Sequence, residues 1–237
     1  MSNQYANREV AKSWESRQLT SRGGYADFQE RLHFLSNWGR ITKESPTLSI
    51  GAGTGTHEQF IDCDGMVCLD ITREMLEIAV AKGQTCVQGT AFNLPFEDGK
   101  FDCTFAIDLS VFHYPRDRLA GIFNIDLSAF QDTREMLAGA LAEMARVTKK
   151  GGRVITMTRN ELQNKLVSFI LHLNPDFDTY RVRQSSIRRA FRDSGLQIEN
   201  NINAGYPRIH SQRLDTLLAK LHLDFLGHWF ICCGVKE

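Results

Sequence analysis

Leu48-Ser49-Ile50-Gly51-Ala52-Gly53-Thr54-Gly55-Thr56 is the stretch on which the fold turns. The short apolar run at residues 47–50 follows Pro46 and ends in three glycines spaced by single residues. Apolar runs of this length bounded by turn residues read as buried strands. Glycine lets the main chain reverse sharply and lets a ligand lie against bare backbone. A helix is expected next, over residues 56–61, and the free N–H groups at its start would receive a carboxylate or a phosphate. A second strand at residues 66–69 closes on Asp70, an acid placed to accept hydrogen bonds from both hydroxyls of a ribose.

Further from the glycines the same grammar repeats. Helices are expected at residues 6–18 and 25–38, the second carrying Phe28, Leu32, Phe34, Leu35 and Trp38 at roughly helical spacing. Residues 73–82 read as a helix with Gly83 as its C-cap. Strands follow at 85–88 and 101–107, then an amphipathic helix at 133–148 and a strand at 153–158. Beyond these, helices are expected at 160–173, 185–194 and 211–223, and strands at 196–201 and 229–235. Strands alternating with helices require a mostly parallel sheet covered on both faces, and the right-handed crossover rule makes it doubly wound. The last strand has no helix after it, which suits an antiparallel strand inserted into a parallel sheet of seven. A single domain is expected, with residues 1–45 as a helical cap, 46–160 as the cofactor-binding core and 161–237 as the remainder of the sheet and the acceptor side.

Lysine plus arginine and aspartate plus glutamate number 28 each, so no global positive field exists to gather nucleic acid. One local cluster stands out, Arg181, Arg183, Arg188, Arg189 and Arg192, and it reads first as a solvated helix face. The six cysteines form no C-x-x-C pair, which removes support for a zinc or redox motif. Most fall in apolar strands, where a free thiol is a small hydrophobe suited to a reducing compartment. The N-terminal residues do not read as a signal peptide, and no apolar run reaches spanning length. A cytoplasmic location is expected from these features, and the oligomeric state is left open between monomer and homodimer.

Residues 48–158 resemble the class I S-adenosylmethionine-dependent methyltransferase superfamily, including its quinone-biosynthesis and small-molecule members. The first motif of that superfamily resembles Ile50-Gly51-Ala52-Gly53-Thr54-Gly55, and its ribose acid falls on Asp70. The third resembles Gly89-Thr90-Ala91-Phe92-Asn93-Leu94-Pro95-Phe96-Glu97-Asp98 followed by Phe101-Asp102. A later segment resembles Leu141-Ala142-Glu143-Met144-Ala145-Arg146-Val147 with Lys150-Gly151-Gly152-Arg153. The resemblance implies a Rossmann-like fold, S-adenosyl-L-methionine as cofactor and S-adenosyl-L-homocysteine as product. It places the cofactor against Gly51, Ala52, Gly53, Gly55, Thr56, Asp70, Ile71, Met75, Thr90, Ala91, Phe92, Ile107 and Asp108. Thr90 stands where the superfamily usually carries an acid for the adenine amino group. Its hydroxyl, or the backbone of Ala91 and Phe92, is left to do that work.

Methyl transfer from a sulfonium is an in-line displacement, so the protein must align the acceptor, exclude water and, where needed, take a proton. The loop 108–114 lies at the carboxyl end of the fourth strand, where open α/β sheets bind ligands. Asp108, His113 and Tyr114 are therefore the polar groups expected nearest the methyl, with His113 and Tyr114 as catalytic candidates. His57 reads as a surface residue more readily than as a ligand contact. Tyr5, Trp14, Tyr25 and Tyr206 are candidate acceptor-side aromatics. Residues 115–132, apolar at Leu119, Ile122, Phe123, Leu127 and Phe130, read equally as a lid or as an extra helix packed on the core. A small-molecule acceptor is the first reading, ahead of RNA or protein and of a fold relative without activity. The spacing G-x-G-x-G rather than G-x-G-x-x-G counts against a nicotinamide enzyme.

Overall fold

The computed structural model describes residue 9 and residues 22–160, 182–204 and 229–237. The helices expected at 6–18, 160–173 and 211–223 lie outside the described residues. Seven strands form one sheet: β1 Thr47–Ile50, β2 Met66–Asp70, β3 Thr85–Gln88, β4 Phe101–Ile107, β5 Thr148–Arg159, β6 Leu196–Ala204 and β7 Trp229–Lys236. Their order is β3-β2-β1-β4-β5-β7-β6. Strands β1 to β5 pair in parallel, and β7 runs antiparallel to both β5 and β6. This is the expected sheet, with the last strand inserted as the pattern required.

The helices are α1 Arg22–Gly39, α2 Arg73–Ala81, α3 Arg116–Phe123, α4 Thr133–Val147 and α5 Gln184–Asp193. Alternation along the strands sends side chains to two cores. Leu48, Ile50, Leu69, Ala106 and Val154 meet Met136, Leu137, Leu141 and Met144 of α4 and Ile187 and Phe191 of α5. Cys68, Cys103, Phe105, Ile155, Met157 and Cys233 face the other way, onto Phe28, Leu32, Phe34 and Leu35 of α1. The stripe read from residues 25–38 is thus the buried side of α1. Four of the six thiols are fully buried, and all six are free.

The expected helix at 56–61 is not formed. A single 3-10 turn, Glu58–Phe60, stands there instead. Gly53, Gly55 and two threonines are poor helix formers. Glu58 is pulled inward, where Ser49 Oγ donates to its Oε1 at 2.5 Å. Strand β5 starts earlier than expected, at Thr148, with a register shift against β4 between Phe101 and Cys103. Gly151 and Gly152, which precede the expected strand, are carried inside it, and a Cβ on Gly152 would lie 2.8 Å from the Asp102 carbonyl oxygen. Glycine inside a strand commonly marks such an irregularity. Residues 115–132 take the packed reading: they contain α3, and Leu119, Ile122 and Leu127 are buried.

Helix α4 starts on a good cap, with Asp132 accepting from the Arg134 and Glu135 N–H groups at 2.8 and 2.9 Å. Near its other end Arg146 staples the loop that leads into β4. It donates to the Phe96 carbonyl at 2.8 Å, the Leu94 carbonyl at 2.9 Å and Asp98 Oδ1 at 2.7 Å. Glu143 holds the same loop by accepting from the Leu94 N–H at 2.7 Å. Arg146→Ala is expected to cost about 2 kcal/mol, since hydrogen bonds to charged groups are worth roughly 1.5–3 kcal/mol each and this one is partly exposed. Urea unfolding followed by circular dichroism measures it.

Candidate functional site

The carboxyl ends of β1, β2 and β4 come together around the glycine turn. Gly51, Gly53 and Gly55 all have positive φ, at 72°, 56° and 66°, a region costly for any residue with a Cβ. Their surroundings differ. A Cβ on Gly51 would meet Leu109 Cδ1 at 2.5 Å, and one on Gly55 would press on Ala79 and Gln84 at 3.1 and 3.2 Å. A Cβ on Gly53 would meet nothing within 4 Å. Gly51 and Gly55 answer to packing, whereas Gly53 keeps a stretch of main chain bare toward open space.

Asp70 closes on this turn from the end of β2. Its Oδ2 accepts from the Gly53 N–H at 2.9 Å and its Oδ1 from the Thr72 N–H at 2.8 Å. Burial pushes its pKa up, against the Thr72, Gly53 and Ile71 N–H groups and the Thr72 hydroxyl, which pull it down. Ile71 is half-buried beside it, and Met75, in the first turn of α2, is buried. Thr56 does not face outward: it is buried with its hydroxyl 2.7 Å from that of Thr54.

Past β3, Thr90, Ala91 and Phe92 are half-buried. The Phe92 N–H donates to Thr90 Oγ1 at 3.0 Å, so this N–H is already spent within the turn. The Phe92 ring lies 5.2 Å from that of Phe130, which is how the 115–132 segment bears on the site.

At the end of β4, Ile107 leads into Asp108, which holds φ at 53°. Asp108 Oδ1 lies 2.5 Å from His113 Nε2 and its Oδ2 3.5 Å from Arg159 Nε. His113 Nε2 is thus held against the carboxylate, and among the described residues its Nδ1 has no hydrogen-bond partner. Burial pushes the Asp108 pKa up, but His113, Arg159 and Arg31 outweigh it and hold the carboxyl well below the usual carboxylate range. It stays ionised at physiological pH. Tyr114 is half-buried next to His113.

Residues 48–156 match the family described as a methyltransferase domain. A relative in Bacillus subtilis (strain 168), the uncharacterized methyltransferase YcgJ, is 29% identical over 174 residues, covering 67% of this chain and 58% of that protein. These matches support a class I S-adenosylmethionine-dependent methyltransferase. Solved structures show the same fold at low identity. Magnesium protoporphyrin IX methyltransferase from Synechocystis PCC 6803, with bound S-adenosylhomocysteine, aligns at TM-score 0.67 and 16% identity over 99% of this chain and 98% of that one. A chain bound to the Trm112 methyltransferase activator of Haloferax volcanii aligns at TM-score 0.63 and 18% identity over 99% and 97%.

At this site the structure gathers Gly51, Ala52, Gly53, Asp70, Ile71, Ile107, Asp108, His113 and Tyr114 at the strand ends. Tyr5, Trp14 and Tyr206 lie outside the described residues. Tyr25 is placed in α1 by its backbone alone. His57 departs from its surface reading. It is half-buried, its ring sits 4.8 Å from that of Phe28, and Arg31 Nε donates to its Nε2 at 3.2 Å. Burial first, then Arg31, pushes its pKa well down, against a weaker pull from Asp108, so the imidazole is neutral and Nε2 accepts.

Four residues near the site were not singled out from sequence: Arg31, Glu58, Arg159 and Trp229. Arg31 had a signal, because it sits within the apolar stripe between Phe28 and Leu35, and a charge in such a stripe demands partners. Glu58 is buried behind the glycine turn with Oε2 unpartnered. Burial pushes its pKa up, opposed by the Ser49 hydrogen bond. The folded protein therefore holds this proton to higher pH than the unfolded chain, and stability falls as pH rises from the ordinary carboxyl range through the raised folded value. Glu58→Gln removes that loss. Thermal melts are expected to show the variant gaining on the wild type between pH 5 and pH 8; an unchanged difference across that range would refute the assignment.

Among the described residues no helix is long and apolar enough to cross a membrane, and no cluster of three or more His, Cys, Asp or Glu side chains could hold a metal.

Proposed function

We propose that the chain transfers a methyl group from S-adenosyl-L-methionine to a small-molecule acceptor. The observation that carries this reading is the bare main chain at Gly53 facing open space while the Asp70 carboxylate ties that same residue to the end of β2. This cradle fits a nucleoside joined to an amino acid. Asp70 would hold the ribose hydroxyls, and Gly51, Ala52, Gly53, Gly55 and Thr56 would form the turn under the methionyl part. Ile71 and Met75 would pack against the nucleoside. Thr90, Ala91 and Phe92 would border the adenine, with the hydrogen bond to its edge left to the Thr90 hydroxyl and the Ala91 backbone. Ile107 and the ionised Asp108 would face the cationic methionyl end.

When bound, the cofactor supplies the electrophilic methyl carbon and its thioether leaving group. The protein aligns the acceptor and keeps water out. His113 is buried with Nε2 held against Asp108, and its Nδ1 would take the acceptor's proton, while Tyr114 would border the acceptor. Tyr5, Trp14, Tyr25 and Tyr206 remain acceptor-side candidates.

The balanced charge of the chain supports a small acceptor over nucleic acid. The arginine cluster is partly engaged locally: Arg189 pairs with Asp193 at 3.4 Å and Arg188 lies 5.4 Å over the Phe230 ring. An RNA or protein acceptor is the second reading, favoured by Arg183, Arg189 and Arg192, which are exposed. The chain would act in the cytoplasm as a monomer or homodimer. Calorimetry with S-adenosylhomocysteine tests the cofactor half of the proposal, and no heat at millimolar ligand would overturn it. Transfer of labelled methyl to small metabolites in a protein-free, RNA-free extract tests the acceptor half.

A further inference from the structure

A connected chain of side chains runs along the carboxyl edge of the sheet, beyond the cofactor cradle. Arg31 bonds His57 and lies with its Cζ 4.4 Å over the Trp229 ring. Arg159 lies over the same ring at 5.6 Å and leans on Asp108 at 3.5 Å. Trp229 is the first residue of β7 and pairs in register with Arg159, the last residue of β5. The antiparallel strand thus delivers an indole to the edge where all the parallel strands end.

Trp229 is 4% exposed, and Arg31 is equally buried. Arg159 differs, with its side chain 34% exposed. Its Nε is turned to Asp108, and its Nη1 and Nη2 make no hydrogen bond with any described residue. A guanidinium stacked on an indole and braced by a carboxylate has already lost much of its rotamer freedom, so less is lost when its fork is used. Its planar donors match a carboxylate or a phosphate in bidentate fashion. The ionised carboxylate of Asp108 feels both guanidiniums.

From this arrangement we propose that Arg159 is a binding residue for an oxyanion of the acceptor, a carboxylate or a phosphate. The inference rests on the methyl-transfer reading and names its substrate class: a small molecule carrying an acidic group a short distance from the atom that is methylated. Asp108 then has two roles, bracing Arg159 on one oxygen and facing His113 on the other. Trp229 is a positioning residue, since it acts through Arg159.

The test uses the full chain saturated with S-adenosylhomocysteine and three probes of one shape: benzoate, phenyl phosphate and neutral benzamide. Ligand-observed NMR titration is expected to show benzoate or phenyl phosphate binding at least tenfold tighter than benzamide. Preference for one anion over the other identifies the oxyanion. Arg159→Gln is expected to erase the preference while S-adenosylhomocysteine affinity stays within about twofold. Arg159→Lys keeps the charge without the fork and should retain part of the preference. Equal binding of all three probes, or no binding of any, overturns the proposal. So does a large loss of S-adenosylhomocysteine affinity in Arg159→Gln, which would assign the guanidinium to the cofactor's own carboxylate. Failure of the wild type to take up S-adenosylhomocysteine at all would instead defeat the methyl-transfer reading beneath it.

Discussion

Asp70→Ala is expected to weaken S-adenosylhomocysteine binding by about 100-fold, while His113→Ala changes it by no more than about threefold. Hydrogen bonds to a charged acceptor are worth roughly 1.5–3 kcal/mol each, and losing two to the ribose gives about 3 kcal/mol, or two decades in Kd. The substitution also frees the Gly53 and Thr72 N–H groups that Asp70 holds at 2.9 and 2.8 Å, so the turn loses its preset shape. Stability should move far less than affinity. Burial raises the pKa of Asp70, which means that the charged form is disfavoured in the folded protein, and removing it relieves that cost while giving up the two backbone contacts. Calorimetry and a thermal melt on the same samples decide the matter. Equal losses of affinity for the two variants, or a collapse of the melt for Asp70→Ala with binding intact at low temperature, would remove Asp70 from the site.

The sheet was readable because its signals are local. Each parallel strand is a short apolar run closed by a turn residue, and β1 to β4 appear within a residue of where those runs place them. The same reading failed at residues 56–61, because the rule that a helix follows the glycine turn ignored the composition of this one. Gly55 and Thr56 do not favour a helix, and Glu58 gains a buried hydrogen bond with Ser49 only if the chain folds into a tight turn. β5 begins ahead of its apolar run because a register shift lets the strand pass through the glycine pair at 151 and 152. At the site, Asp70 and the glycines were legible as a motif of fixed spacing. Arg31, Arg159 and Trp229 were not, since they meet only through tertiary packing of α1, β5 and β7, and no local pattern records that Trp229 would lie between two guanidiniums. His57 misled for the same reason: its partner is Arg31, 26 residues away in sequence.

Gly53→Ala and Gly55→Ala form a matched pair in which the fold and the ligand should respond in opposite order. Both positions sit at nearly the same positive φ, 56° and 66°, so both substitutions carry a backbone cost of about 1–2 kcal/mol. At Gly55 the new methyl also presses on Ala79 and Gln84 at 3.1 and 3.2 Å, adding a packing cost within the protein. At Gly53 it meets nothing within 4 Å, so the protein itself feels only the backbone strain. If the open space over Gly53 is where the cofactor's methionyl part lies, that methyl occupies the ligand's volume. Gly53→Ala should then lose at least about 30-fold in S-adenosylhomocysteine affinity, roughly 2 kcal/mol, while melting only a few degrees below the wild type. Gly55→Ala should show the larger drop in melting temperature and the smaller loss of affinity. Strain alone would lower both quantities in parallel, and steric exclusion of a ligand is what separates them. Wild-type affinity in Gly53→Ala would mean that the bare main chain faces solvent rather than a cofactor, and the cradle would have to be sought elsewhere on the carboxyl edge of the sheet.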